Sequence, residues 1–159
     1  MSQPIEAAIL ALRQRLLSTS TVYFSSQPLA GSRSGWAGRG NGTVKVETHA
    51  DTSLTFTEWG RFRLEGATES IAFRNVFRWT PRADAIALSH ERRGVEAAVQ
   101  LFELIPTGPR DAADWVAREA HQCAADRYRV RLTPAEAGFD LAWSIEGPRK
   151  SERLYYRYR

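Results

Sequence analysis

The sequence predicts a mainly β protein, an antiparallel barrel of about eight to ten strands. Short segments of alternating apolar and polar residues recur at roughly the 8 to 12 residue spacing of sandwiches and barrels. None of them alternates with a helix as in a βαβ unit. Closing the sheet on itself removes its exposed edges, so a barrel is favoured over the alternative, a two-sheet sandwich.

The last third of the chain carries the clearest pattern. Three alternating runs are separated by turn residues around Pro134 to Gly138 and by Gly147-Pro148. The residues on the less charged face of the three runs are, in order, Asp126, Tyr128, Val130 and Leu132; Phe139, Leu141, Trp143 and Ile145; and Leu154, Tyr156 and Tyr158. Arginines alternate with the first and third runs. A period of two predicts three half-buried strands in a meander.

Residues 4–17 predict the long helix of the chain. Pro4 suits a first helical position, and apolar residues recur at the spacing of one helical face: Ile5, Ala8, Ile9, Leu12 and Leu16. We expect this helix to cover one end of the sheet and to belong to the core.

Further strands are predicted at residues 21–26, 43–48, 54–64, 71–79, 86–90 and 97–105. The glycine-rich residues 28–42 are interpreted as a flexible loop rather than a phosphate cradle, because a strand and not a helix follows them. Asp111 and Asp114 predict a short helix that ends near Ala120, just before the last three strands.

Composition and charge narrow the class of protein. The 159 residues, 43% of them hydrophobic, fit a single domain spanning residues 1–159. No apolar run is long enough to span a bilayer, and no secretory signal is recognisable. We therefore expect a cytoplasmic protein that does not bind a membrane. Cys123 is the only cysteine, which excludes an internal disulfide. The net charge of +4 is too small to indicate a partner.

Several motifs resemble a known family. They are Phe56-Thr57-Glu58-Trp59-Gly60, the strand at residues 74–79, His121-x-Cys123-x-x-Asp126-x-Tyr128, and Trp143-x-x-x-Gly147-Pro148-x-Lys150. Together they resemble a family of small, functionally uncharacterised bacterial and fungal proteins with a lipocalin-like (calycin-type) barrel. The resemblance implies a fold and no activity. Ala97, Ala98 and Val99 stand where it leads us to expect an aromatic–histidine pair.

The inward faces of the predicted strands carry polar residues that need partners. Glu58, Asn75, His90 and Asp126 lie on faces that are otherwise apolar, and buried polar groups must be paired with each other, with water or with a ligand. With the aromatic residues of the same faces they form the predicted ligand site: Glu58, Asn75, His90, Asp126, Tyr128, Trp143 and Tyr156. The expected ligand is a small apolar or amphipathic molecule, with no cofactor and no metal.

Two other function classes stay open. An enzyme of the same fold would use Asp126 or Glu58 as a general acid or base whose pKa is raised by burial. A binding module for nucleic acid or another acidic partner would use the outer arginines of the last three strands, with Tyr155 among them: Arg127, Arg129, Arg131, Arg153, Arg157 and Arg159. We expect Asp140, Glu146 and Glu152 to neutralise those arginines, so nucleic acid is not the expected partner.

His121 and Cys123 are two positions apart and would share a face on a regular strand, opposite to Asp126. We expect Cys123 to be a buried structural thiol rather than a nucleophile. A metal site on His121, Cys123 and Asp126 would require a β-bulge and lacks an obvious fourth ligand.

Overall fold

The structure, a computed structural model, describes residues 2–32, 37–108 and 113–159. Within these ranges one α-helix, α1 (Ser2–Leu17), precedes eleven strands. The strands are β1 (Thr21–Pro28), β2 (Gly38–Thr48), β3 (Leu54–Leu64), β4 (Ile71–Pro81), β5 (Ile86–His90), β6 (Val99–Pro106), β7 (Trp115–Ala117), β8 (His121–Cys123), β9 (Asp126–Pro134), β10 (Phe139–Glu146) and β11 (Ser151–Tyr158). The helix-forming and strand-forming patterns of the sequence thus lie where the periodicity predicts them, with the exceptions described below.

The sheet closes into an antiparallel barrel. Its strand order is β10-β11-β1-β2-β3-β4-β5-β6-β7-β9, and the pairing of β9 with β10 joins the two ends. The short β8 pairs with the first half of β9, beside the stretch where β9 pairs with β7. The predicted antiparallel barrel is therefore confirmed, with ten strands in the ring.

Helix α1 packs one apolar face against the barrel. Leu12 and Leu16 are 2% and 1% exposed and belong to the same core cluster as the strands, whereas Leu10 on the other face is 62% exposed. Arg15 donates hydrogen bonds to the carbonyl oxygens of Ala135 and Gly138, in the turn between β9 and β10. The helix consequently covers the end of the barrel at which β9 ends. None of the helices within the described ranges is long and apolar enough to cross a membrane.

The loop predicted at residues 28–42 is too long. β1 continues to Pro28 and β2 begins at Gly38, so six of the fifteen residues predicted as loop are strand. Gly42 lies opposite Gly60 on β3, and a Cβ atom on Gly42 would lie 1.9 Å from the carbonyl oxygen of Trp59. Glycine here permits close contact of two strands, which is one of its recognised roles in sheets. Gly35 and Trp36 of the predicted loop lie outside the described residues.

The short helix predicted before the last three strands is wrong for the residues that the structure describes there. Trp115–Ala117 forms β7, in which Trp115 is 1% exposed and pairs with Leu132. Burial of the Trp115 indole between β6 and β9 outweighs the preference of Asp114 for the first turn of a helix. The carboxylate of Asp114 instead accepts a hydrogen bond from Arg131. Asp111 lies outside the described residues. The strand predicted at residues 97–105 begins at Val99, after a 3₁₀ turn at Val95–Ala97.

Candidate ligand-binding cavity

A buried carboxyl group lies inside the barrel. Glu58 is fully enclosed, and its Oε2 accepts a hydrogen bond of 2.6 Å from the hydroxyl of Tyr158, which is 2% exposed. Burial raises the pKa of Glu58 to about 7, although the hydrogen bond from Tyr158 and the nearby Asn75 amide act in the opposite direction. Oε1 has no partner of good hydrogen-bond geometry among the described residues.

Aromatic rings surround this carboxyl group. Tyr158 stacks on Phe139 with ring centroids 4.7 Å apart, and Tyr156 lies 6.1 Å from Tyr158. Burial and then the charge of Glu58 raise the pKa of both tyrosines. The tyrosine hydroxyls therefore stay protonated at neutral pH, and Tyr158 serves as a permanent donor to Glu58.

A cavity of about 360 Å³ opens at the end of the barrel away from α1. It lies beside the last residue of β5, the first residue of β6 and the start of β9, whereas α1 packs where β9 ends. The cavity is lined by Asn75, Val76, Phe77, His90, Arg92, Val99, Leu101, His121, Cys123, Tyr128 and Trp143. Its wall combines apolar surface with a few polar groups, the usual composition of a small-molecule site.

Two of the lining side chains carry buried polar atoms without a partner. Neither Nε1 of Trp143 nor Nδ1 of His90 makes a hydrogen bond within the described residues, and Trp143 is only 9% exposed. Burial, and then the nearby charges of Arg92, Arg93 and His121, lower the pKa of His90. His90 is consequently neutral at pH 7, with one ring nitrogen as donor and the other as acceptor.

The segment that begins at His121 is a hairpin rather than one continuous strand. A two-residue turn, in which Ala124 has a φ of 53°, reverses the chain, so that His121 pairs with Tyr128 and Cys123 with Asp126. Directly paired residues share a face of a sheet, so the expectation that Cys123 and Asp126 lie on opposite faces is wrong. Cys123 is also exposed, which corrects its prediction as a buried thiol.

The predicted site residues fall into two groups. Asn75, His90, Tyr128 and Trp143 line the cavity. Glu58, directly opposite Asn75 across β3 and β4, lies deeper in the barrel together with Tyr156.

Asp126 lies outside the cavity lining. Its Oδ2 is 3.8 Å from Nζ of Lys150, and its Oδ1 packs so close to Gly147 that a Cβ atom there would lie 1.9 Å away. The position indicates a role in holding the turn between β10 and β11 against the start of β9.

Sequence reasoning missed His121, Cys123 and Arg92 as lining residues. The first two reach the cavity because the chain reverses at Ala124-Ala125, which places His121 beside Tyr128. Two alanines are not residues that usually mark a turn, so no local signal pointed to this hairpin. Despite this grouping, no three His, Cys, Asp or Glu side chains within the described ranges are arranged to hold a metal ion.

A larger and more polar depression of about 760 Å³ lies elsewhere, between β1, the start of β2 and the turn after β3. Tyr23, Arg39 and Glu65 are among its lining residues. It is a surface hollow, and Ser26 Oγ is the only buried polar atom without a partner among its lining residues in the described part of the chain. We therefore assign the candidate site to the smaller cavity.

Fold and cavity together define a closed ten-stranded antiparallel β-barrel with a partly apolar cavity at one end. Within that class, the chain belongs to the Family of unknown function (DUF6314), which it matches over residues 23–159, from the third residue of β1 to the end of the barrel. No curated protein and no solved structure matches the chain. The lipocalin-like relationship and the bacterial and fungal distribution stay predictions.

Proposed function

We propose that the protein binds a small, largely apolar molecule in the cavity at the open end of the barrel. The observation that carries the proposal is the indole N–H of Trp143, a buried donor without a partner beside this cavity. A buried polar group left unpaired costs about 1 to 3 kcal/mol, which a ligand acceptor would recover.

The size and lining of the cavity support this class of ligand. A volume of about 360 Å³ lies within the range of small-molecule pockets. Phe77, Val99 and Leu101 supply apolar contact surface, and the aromatic rings of Tyr128 and Trp143 face the same space. A ligand with a compact apolar body therefore fits better than a highly polar one.

The polar atoms limit where the ligand carries its heteroatoms. One acceptor atom would receive the N–H of Trp143, and a second polar atom would meet Nδ1 of the neutral His90. Asn75 and Arg92 add donors at the same cavity. The ligand that fits is amphipathic, with its polar group towards His90 and Trp143.

The alternative, an enzyme with a buried carboxylate as general acid or base, has weaker support. A pKa of about 7 suits Glu58 for proton transfer at neutral pH, but its side chain is fully enclosed and outside the cavity lining. Asp126 is held by Lys150 and the Gly147 turn. Ligand binding needs no movement of either carboxylate, so it is the simpler function for this geometry.

The single, exposed thiol of Cys123 suits a reducing compartment, which supports a cytoplasmic location.

Native mass spectrometry of the freshly purified protein tests the proposal. We expect a co-purified small molecule on the wild type, and its loss in Leu101→Trp, which fills the cavity. Val95→Trp is the matched control, because Val95 is 67% exposed and outside the cavity, and it should retain the molecule. If nothing co-purifies, thermal melts with added 2-naphthol and decanoate replace the first readout. Absence of stabilisation by either, or equal stabilisation of the wild type and Leu101→Trp, would refute the proposal.

A further inference from the structure

The outer surface of the barrel carries a second feature, which the cavity does not use. Of the eight exposed arginines on β2, β3, β9 and β11, Arg127 is directly opposite Glu146. The other seven are Arg39, Arg61, Arg63, Arg129, Arg131, Arg153 and Arg157. We call this set the arginine face. The exposed tyrosines Tyr23 and Tyr155 lie among them, 36% and 44% exposed.

Strand register places these residues in rows across the sheet. One row runs through directly paired positions Arg131, Ala142, Tyr155, Ser25, Arg39 and Arg63. A second row runs through Arg129, Ser144 and Arg153, and a third includes Arg157, Tyr23, Asn41 and Arg61. With strands about 4.8 Å apart, six strands span roughly 24 Å, a length that several nucleotides of a single strand would cover.

The first two rows cross a groove where they pass over β10. The small side chains of Ala142 and Ser144 on β10 lie between larger ones on β9 and β11, leaving a depression of about 250 Å³. Arg129, Arg131, Arg153 and Tyr155 line it. An anion in this groove would meet three guanidinium groups, and a ring next to it would meet the face of Tyr155.

The expected neutralisation of the outer arginines is partial. Oδ1 of Asp140 lies 3.0 Å from Nη1 of Arg159, and Glu152 is buried on the inner side of β11 at 6% exposure. Asp140 is nevertheless directly opposite Arg157 of the face, and Glu146 is opposite Arg127 at the end of β10.

Most of the arginines are free of ion pairs. Arg131 is paired with Asp114, at 2.6 Å between Nη2 and Oδ2. The other six make no ion pair with any residue that the structure describes. Arg157 lies over the ring of Tyr23 at 5.6 Å from its centroid, and Arg61 bonds the hydroxyl of Ser70. Uncompensated cations on one surface are what binding to a phosphate backbone requires.

We infer that the arginine face binds single-stranded nucleic acid, with phosphates on the arginines of the groove and a base stacked on Tyr155. Guanidinium groups match phosphate oxygens in geometry and also stack on bases, and the face contains no lysine. Exposed tyrosines between the cations favour a strand with free bases, because every base offers a ring face to stack on, whereas a run of Asp and Glu residues or an anionic membrane surface does not. This inference is independent of the cavity and of the function proposed for it.

Fluorescence anisotropy with an oligothymidylate of about 15 nucleotides tests the inference. Arg129→Gln with Arg153→Gln should weaken binding about tenfold and reduce the slope of log K against log salt by about 1.4, since about 0.7 counterions are released for each phosphate neutralised. The control is Arg82→Gln with Arg93→Gln, which removes the same charge from exposed turns on the β4–β6 side of the barrel and should bind like the wild type.

Stacking is tested separately with Tyr155→Leu. It should weaken binding of the oligothymidylate about tenfold and leave binding of an abasic oligomer of equal length unchanged. Failure of the oligonucleotide to bind at about 0.1 M salt, or equal losses in the two double variants, overturns the inference. Polyglutamate binding as tight as that of the oligonucleotide, with no effect of Tyr155→Leu, overturns it too and indicates an acidic protein partner.

Discussion

Tyr158 and Glu58, one hundred positions apart in the sequence, form a hydrogen bond of 2.6 Å inside the barrel. It joins β11, the last strand, to β3 across the interior, and the pairing of β11 with β1 brings the two ends of the chain into the same sheet. A polar pair at this place fixes the relative position of two barrel walls that are not neighbours in the sheet. This polar contact thus acts in addition to the apolar packing of the interior.

We predict that Tyr158→Phe lowers the free energy of unfolding by about 1 to 3 kcal/mol, because it leaves Oε2 of the buried Glu58 without a donor. Urea unfolding followed by circular dichroism measures the change. Tyr155→Phe, on the exposed side of the same strand, removes the same hydroxyl and should stay within about 0.5 kcal/mol of the wild type. Equal effects of the two substitutions would show that the Glu58 contact contributes nothing.

The pH dependence of stability follows from the raised pKa of Glu58. The pKa is about 7 in the folded chain against 4.5 for an unperturbed carboxyl group, so between these values the folded state binds more protons than the unfolded state. Glu58 therefore makes the protein less stable as pH rises through this window, by up to about 3 kcal/mol.

Glu58→Gln removes this titration while keeping an acceptor for Tyr158. We expect the difference between the unfolding free energies of the wild type and the variant to fall steadily from pH 4.5 to pH 8. His90 contributes with the opposite sign in both proteins, so its contribution cancels in this difference. A difference that is flat over this range would mean that Glu58 is ionised throughout.

The contact between Asp126 and Gly147 predicts a rescue. Gly147→Ala should destabilise the protein by about 1 to 3 kcal/mol, because the new methyl group would meet Oδ1 of Asp126. In a chain that already carries Asp126→Ala, the same substitution should cost much less. Gly108→Ala is the control, since no atom of the described residues lies within 4 Å of a Cβ there. Additive losses in the double variant would argue that backbone strain, and not the carboxylate, makes alanine unfavourable at Gly147.

Alternating patterns were sufficient to predict the long strands, the amphipathic helix and the closure of the barrel. They could not predict β7 and β8, since three residues contain less than two periods of any alternation. The turn before Asp126 contains two alanines and no glycine, proline or asparagine, so it carries no signal of the usual kind. The positions of His121 and Cys123 at the cavity depend on that turn.

The candidate site was predictable where inward faces decide the lining, as for Asn75, His90 and Trp143. The face on which a residue lies does not tell how deep it sits along the barrel axis. Glu58 therefore has the predicted orientation but lies deeper than the cavity, and Asp126 lies beside the cavity. The charge of the arginine face depends on pairing between strands far apart in sequence, which places Arg39 and Arg63 in one row with Tyr155. No local pattern contains that information.

The indole N–H resonance of Trp143 tests the central claim, ligand binding in the cavity, most directly. In the nitrogen-labelled protein it is assigned by its absence from the spectrum of Trp143→Phe, and Trp59, 41% exposed on the outer surface, serves as the reference. On titration with 2-naphthol, or with the molecule found by mass spectrometry, we predict that the Trp143 signal shifts downfield and saturates while the Trp59 signal stays in place. A Trp143 signal that does not move, or shifts of equal size at both indoles, would contradict binding in the cavity.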